Sequence, residues 1–133
     1  MSPIQPEAFL HYAAYVLLAA GMTIVFLLVY TRLTPHDELA LIRNGKSAAS
    51  LSLGGALLGF IMTLASSIMH TQSYVQFIIW SVAALAVQLL VYLVLSLLLK
   101  DIPQQLEKDN VAFGGLVGAV SLAMGVINAA CIY

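Results

Sequence analysis

Four stretches of the chain carry no Lys, Arg, Asp or Glu: Phe9 to Tyr30, Ala48 to Met69, Tyr74 to Leu99 and Val111 to Ile132. Each is bounded by a polar cluster. A helix rising about 1.5 Å per residue needs roughly twenty mostly apolar residues to cross about 30 Å of hydrocarbon, and each stretch meets that length. Helices buried in a water-soluble bundle would keep a charged outer stripe, and these have none. The pattern therefore predicts an all-α integral membrane protein of four helices, one membrane domain over residues 1–133. Composition points the same way: 62% of residues are hydrophobic and 8% charged, too few charges to clothe a soluble surface.

The charges divide by connection. Arg32, Arg43 and Lys46 flank the first connection, and Lys100 and Lys108 flank the third. The second, His70-Thr71-Gln72-Ser73, has no fixed charge, and Glu7 stands alone before the first span. By the bias of basic loops toward the cytoplasm, the first and third connections are expected inside and both termini outside (N-out, C-out; periplasmic in a bacterial inner membrane). No basic stretch precedes the first span, so it is expected to be retained rather than cleaved as a signal peptide. Tyr12, Tyr15, Tyr74, Trp80 and Tyr133 are expected near the outer interface and Tyr30 near the inner one, as aromatic anchors. The net charge of −1 and the scattered cations exclude a nucleic-acid surface.

The chain also reads as two tandem hairpins, about residues 8–70 and 74–132, each a span, a charged connection and a Gly-rich span. A shift of 64 lays Lys46-Ser47-Ala48-Ala49 on Asn110-Val111-Ala112-Phe113 and Gly54 on Gly118. A shift of 59 instead stacks Gly55 and Gly59 on Gly114 and Gly118. A two-span unit returns the chain to its starting side, so the copies should be parallel rather than inverted.

Both charged connections look structured. In the first, Thr34, Pro35 and Asp37 have the spacing of a helix cap, and Asn44-Gly45 supplies a left-handed stop. About ten residues would lie between, with Leu39 and Ile42 turned to the membrane surface. In the third, Asp101 and Gln104 around Pro103 could form a similar box. His36-Asp37-Glu38 is the one place where a histidine adjoins carboxylates and so could serve a metal or acid–base chemistry. It reads more simply as capping: Asp37 completes the cap, Glu38 complements the helix dipole, and His36 faces headgroups or solvent.

Inside the membrane, Gly114, Gly118, Ser121, Gly125 and Asn128 fall on one face of the last span, and Ser52, Gly55, Gly59, Thr63, Ser66 and His70 on one face of the second. Small residues let helices approach closely where van der Waals contact must hold them. These stripes, with Gly54, are either packing surfaces or the lining of a path. Gln88 lies mid-span in the third stretch with Ser81, Tyr92 and Ser96 on the same side, as interhelical glue or as a transport residue. No acidic or basic side chain falls within a span, which disfavours a pump. Cys131 is the lone cysteine, so no internal disulfide or CxxC motif exists. Phosphate-binding loops, zinc-protease motifs and nucleophile elbows are missing. No enzyme and no cofactor is expected.

Thr34-Pro35-His36-Asp37-Glu38, then Leu41-Ile42-Arg43-Asn44-Gly45-Lys46-Ser47-Ala48-Ala49-Ser50, and the closing Ile127-Asn128-Ala129-Ala130-Cys131, resemble the YjfL-like bacterial inner-membrane family, the domain of unknown function 350. The resemblance covers essentially the whole chain. It implies a four-span bacterial inner-membrane protein of paired two-helix repeats, and no particular activity. Lys46 departs from the Asn expected after the turn, which Asn110 keeps in the second half.

Two functions fit these readings. One is a non-enzymatic scaffold that forms homo-oligomers in lipid and presents its cytoplasmic elbows to a protein partner or anionic lipid. The other is an oligomeric channel or small-solute transporter with Gln88, Asn128 and the glycine stripes along its path.

Overall fold

The computed structural model describes residues 5–34 and 37–132, and within them the chain is helical without strands. Pro35, His36 and Tyr133, named above in the first connection and at the outer end, lie outside the described residues. Four helices are long and apolar enough to cross a membrane: α1 (Pro6–Leu33), α3 (Ser47–His70), α4 (Tyr74–Leu98) and α6 (Val111–Ala130). Two six-residue helices join them in pairs, α2 (Glu38–Arg43) and α5 (Ile102–Glu107). The four charge-free stretches thus correspond to the four long helices to within a few residues at each end.

The direction of packing follows from which residues meet. His11 and Tyr15 near the start of α1 lie against Tyr74 at the start of α4, and Tyr30 at its far end lies against Tyr92. α1 and α4 therefore run parallel. Ala48 meets Gly114 near the start of α3 and α6, and Ser66 meets Ala129 near their ends, so these two also run parallel, opposite to the first pair. α3 is the hub, touching α1, α4 and α6. The ends of α1 and α4, the starts of α3 and α6, and both short helices share one end of the bundle. All five Lys and Arg side chains belong to that end.

Aromatic stacking fixes α1 on the hub. Phe26 stacks on Phe60 with centroids 4.5 Å apart, and Tyr30 stands edge-on to Tyr92 at 6.1 Å. Otherwise α1 buries little of itself, only Phe26 and Tyr30 being enclosed, so most of its surface is left for lipid or a neighbour.

The first short helix starts later than its sequence suggests. Thr34 ends α1 instead of capping α2: its N–H donates to the Tyr30 carbonyl at 3.1 Å and its hydroxyl turns back to the Thr31 carbonyl at 3.3 Å. Asp37 takes the cap, its carboxylate accepting from the Ala40 N–H at 3.2 Å, and α2 holds six residues rather than ten. A charged acceptor next to the helix start outcompetes a hydroxyl already engaged one turn earlier. Asn44-Gly45 does stop the helix. Gly45 has φ +78°, a left-handed conformation that costs glycine nothing, and the Lys46 N–H donates to the Leu41 carbonyl at 3.0 Å, closing the helix in a Schellman arrangement.

The third connection departs from the expected box. Asp101 itself is left-handed, φ +67°, and its side chain makes no capping bond. A cap requires an extended residue whose side chain points back along the helix start, and this backbone turns it away.

Candidate functional site

Two polar regions stand out in an otherwise apolar bundle. The first is the seam between α3 and α6. Gly55, Gly59, Gly114, Gly118 and Gly125 all lie in it, and a Cβ added at any of them would overlap backbone of the facing helix: Gly55 against Gly118, Gly114 against Ala48, Gly118 against Leu51, Gly125 against Gly59. A Cβ on Gly59 would come within 2.7 Å of the Ser121 carbonyl. With no side chains between them, the two backbones make direct van der Waals contact, which replaces the hydrophobic driving force unavailable in lipid.

Polar side chains stitch the same seam. Thr63 donates to the Gly125 carbonyl at 3.2 Å, Asn128 donates to the Thr63 hydroxyl at 3.3 Å, and Ser66 donates to the Ala129 carbonyl at 2.6 Å. Gln88 reaches in from α4 and donates from Nε2 to the Ser121 carbonyl at 3.1 Å. The Gln88 Oε1 and Ser121 Oγ atoms beside that bond are buried without hydrogen-bond partners. Gln88 therefore ties the third long helix to the seam. Ser81 is spent on its own helix, donating to the Phe77 carbonyl at 2.7 Å.

Gly54 is the exception among the glycines singled out from the sequence. It points away from the seam, and a Cβ there would meet nothing within 4 Å. With Ser50, Gly115 and Ala119 it lines a shallow groove of about 270 Å³ on the outer side of the α3–α6 pair. Adjacent residues on a helix point about 100° apart, so Gly55 faces α6 while Gly54 is turned aside from it, and both border this groove.

The second region is the charged end, where the elbows complete the bundle. Glu38, expected at the start of the first short helix as a complement to its dipole, is wholly buried, with 0% of its surface exposed. It lies close enough to the phenols of Tyr30 and Tyr92 to interact electrostatically with both, and Thr34 at the end of α1 is buried too. Tyr30 is itself 0% exposed, and its hydroxyl has no hydrogen-bond partner. Thr34 and Tyr92 also wall a groove of about 350 Å³ with Leu33, Leu93 and Ser96. The sequence singled out Glu38 in the elbow motif but not its burial, which depends on the tertiary packing of α2 on α3. The available signal was positional: 64 residues on, Ile102 occupies the matching first position of α5.

Asp109, in the second elbow, is structural. It is left-handed, φ +57°, and its carboxylate accepts from the Ala48 N–H of α3 at 2.9 Å. Lys46, which precedes α3, has no acceptor with which to cap it, so the second elbow caps the helix of the first. Asn110 caps α6 in the ordinary way, accepting from the Phe113 N–H at 3.2 Å, and donates to the Gln105 side chain at 2.9 Å. Among the described residues, no group of three or more His, Cys, Asp and Glu side chains is placed to hold a metal.

Comparison with known proteins agrees with the family suggested by the elbow motifs. The chain is 36% identical over 125 residues to the UPF0719 inner membrane protein YjfL of Escherichia coli K12, an alignment covering 94% of this chain and 95% of that one; the protein of the same name from strain O157:H7 matches equally. It is 28% identical over 132 residues to the UPF0719 transmembrane protein YshE of Bacillus subtilis 168, covering 98% of each. No solved structure matches the chain. The family model described as Domain of Unknown Function (DUF350) matches residues 4–132, and the chain belongs to that family.

Proposed function

We propose that the protein is a non-enzymatic inner-membrane scaffold, built from two tandem hairpins with both termini periplasmic, that self-associates in the bilayer and offers its cytoplasmic elbows to a protein partner or anionic lipid. The inner membrane is the location that the Escherichia coli relatives carry in their names. Placing all five cations at one end of the bundle supports the orientation, since that end then faces the cytoplasm. The repeat draws support from spacing. α5 begins at Ile102, 64 residues after α2 begins at Glu38, and α6 begins at Val111, 64 after α3 begins at Ser47. The parallel packing of α1 with α4 and of α3 with α6 is what two successive copies of one hairpin produce.

Self-association rests on one observation. The inner glycines are consumed within the subunit, whereas Gly54, with Ser50, Gly115 and Ala119, leaves a second small-residue groove facing outward. Such a surface suits close approach by a helix of another copy. Gly54→Leu together with Gly115→Leu should fill the groove without disturbing the fold and shift the protein toward monomer, as read by native mass spectrometry from lipid-like detergent. A wild-type protein that is monomeric in every lipid mixture would overturn the reading.

The channel or transporter alternative draws less support. Five of the glycines it would place along a path are in backbone contact, and Gln88 and Asn128 are committed to bonds that hold helices together.

A further inference from the structure

Two surfaces of the bundle are left unused by the subunit, and they match in shape and depth. One is the groove of about 270 Å³ on the α3–α6 pair, lined by Gly54, Gly115 and Ala119 with Leu58 at its side. The other is the outward face of α1. Phe26 and Tyr30 fix α1 on the hub, and Tyr15, Ala19 and Met22 also pack on the core. Leu10, Leu17, Gly21, Ile24 and Leu28 follow one another at steps of seven, four, three and four, the spacing of a seam by which one helix packs along another. At about 100° per residue this seam points away from the hub. Leu17 is 72% and Ile24 59% exposed, and a Cβ added at Gly21 would meet nothing within 4 Å. The face is a ridge of large apolar side chains with no partner inside the described bundle.

We propose that the groove is filled by α1 of another copy of this chain, with Ile24 and Leu28 of that helix seated over Gly54, Gly115 and Ala119. The inference rests on the self-association proposed above and names the surface that performs it. Depth supports the pairing. At about 1.5 Å per residue, Leu28 and Ile24 lie about 8 and 14 Å from the elbow end of α1, and Gly54 and Ala119 about 11 and 12 Å from the elbow ends of α3 and α6. Copies standing side by side in one membrane therefore present ridge and groove at the same level. Shape supports it too: large side chains of one helix enter where the other helices lack them, and such van der Waals contact is what associates helices in lipid. A copy cannot fill its own groove. Phe60, which stacks on Phe26 of α1, follows Gly54 by six residues and so lies about 120° away around α3. Ridge and groove are different surfaces, the contact between them is heterologous, and it propagates into a ring or a chain instead of stopping at a two-fold dimer.

The test is disulfide cross-linking of the full chain in membranes, in a Cys131→Ser background so that the natural thiol takes no part. Ile24→Cys and Ala119→Cys chains carrying different tags are coexpressed and oxidised; a dimer containing both tags should form, and either variant alone should give several-fold less. Leu10→Cys, about 20 Å farther from the elbow end than Ala119, is the depth control and should not link to Ala119→Cys. A chain carrying both Ile24→Cys and Ala119→Cys should oxidise to a ladder of multimers that reductant collapses. Linking of either single variant to itself as readily as to the other would mean that like surfaces meet, and overturns the proposal. So does the lack of a mixed dimer from a protein that native mass spectrometry shows to be oligomeric. That result leaves self-association standing, whereas a wild type that is monomeric in every lipid mixture removes both.

Discussion

The two elbows have one backbone and two chemistries. Each is a six-residue helix followed by a left-handed residue, Gly45 or Asp109, and each closes with the N–H of the next residue donating five positions back, Lys46 to Leu41 and Asn110 to Gln105, both at 3.0 Å. On that common frame the first elbow has a conventional acidic cap, a buried glutamate, a glycine at the strained position and no cap for the helix that follows. The second has an uncapped start, a buried isoleucine, an aspartate at the strained position and an asparagine cap. Geometry that recurs with different side chains is set by the backbone hydrogen bonds and the turn. Side chains that differ are free of that duty and must be explained by something else. For Asp109 the explanation is the bond to α3.

The sharpest way to break this comparison is to exchange the buried residues. Ile102→Glu would place a carboxylate in the second elbow without the phenols that flank Glu38; 64 residues on from Tyr30 stands Val94. An uncompensated buried charge should cost about 3–5 kcal/mol, read by unfolding in mixed micelles. If Ile102→Glu is tolerated, the elbows are more open than their burial indicates, and Glu38 loses its distinction.

Asp109 gives the next largest effect and separates its two roles. Asp109→Ala should lose about 2–3 kcal/mol, of which roughly 1–2 comes from forcing a β-carbon without a helpful polar group into the left-handed region and about 1 from the lost cap on α3. Asp109→Gly relieves the first and keeps the second, so it should recover most of the loss. Equal damage from both variants would mean that the bond to Ala48, and not the turn, dominates.

Much of this architecture was legible because a membrane simplifies the code: an uncharged run of the right length has few other fates. The glycines of the seam were visible as stripes, but whether Gly54 or Gly55 faces inward depends on the position of a partner helix far along the chain. Local chemistry misled where two candidates competed, as with Thr34 and Asp37, since only the end of α1 decides which remains available. Glu38 was legible as the acidic first residue of α2, but its burial was not. Burial at that position depends on tertiary neighbours, α3 against α2 and the phenols of Tyr30 and Tyr92 within electrostatic reach, which come from helices well separated in sequence.

The smallest expected effect concerns the residues that follow the turns. Asn110→Lys would give the second elbow the residue of the first, removing the acceptor that serves the Phe113 N–H and the donor to Gln105. The loss should be about 1 kcal/mol, the usual worth of a side-chain cap. The reciprocal change, Lys46→Asn, should gain less than that, because Asp109 already serves the Ala48 N–H at the start of α3. In an Asp109→Ala background that donor is vacated, so Lys46→Asn should there gain more, and the difference between its effects in the two backgrounds measures the coupling. A positive coupling would mean that the second elbow supplies the cap that lysine denies the first; independence of the two substitutions would mean that each half caps its own helix and that the bond between halves contributes nothing.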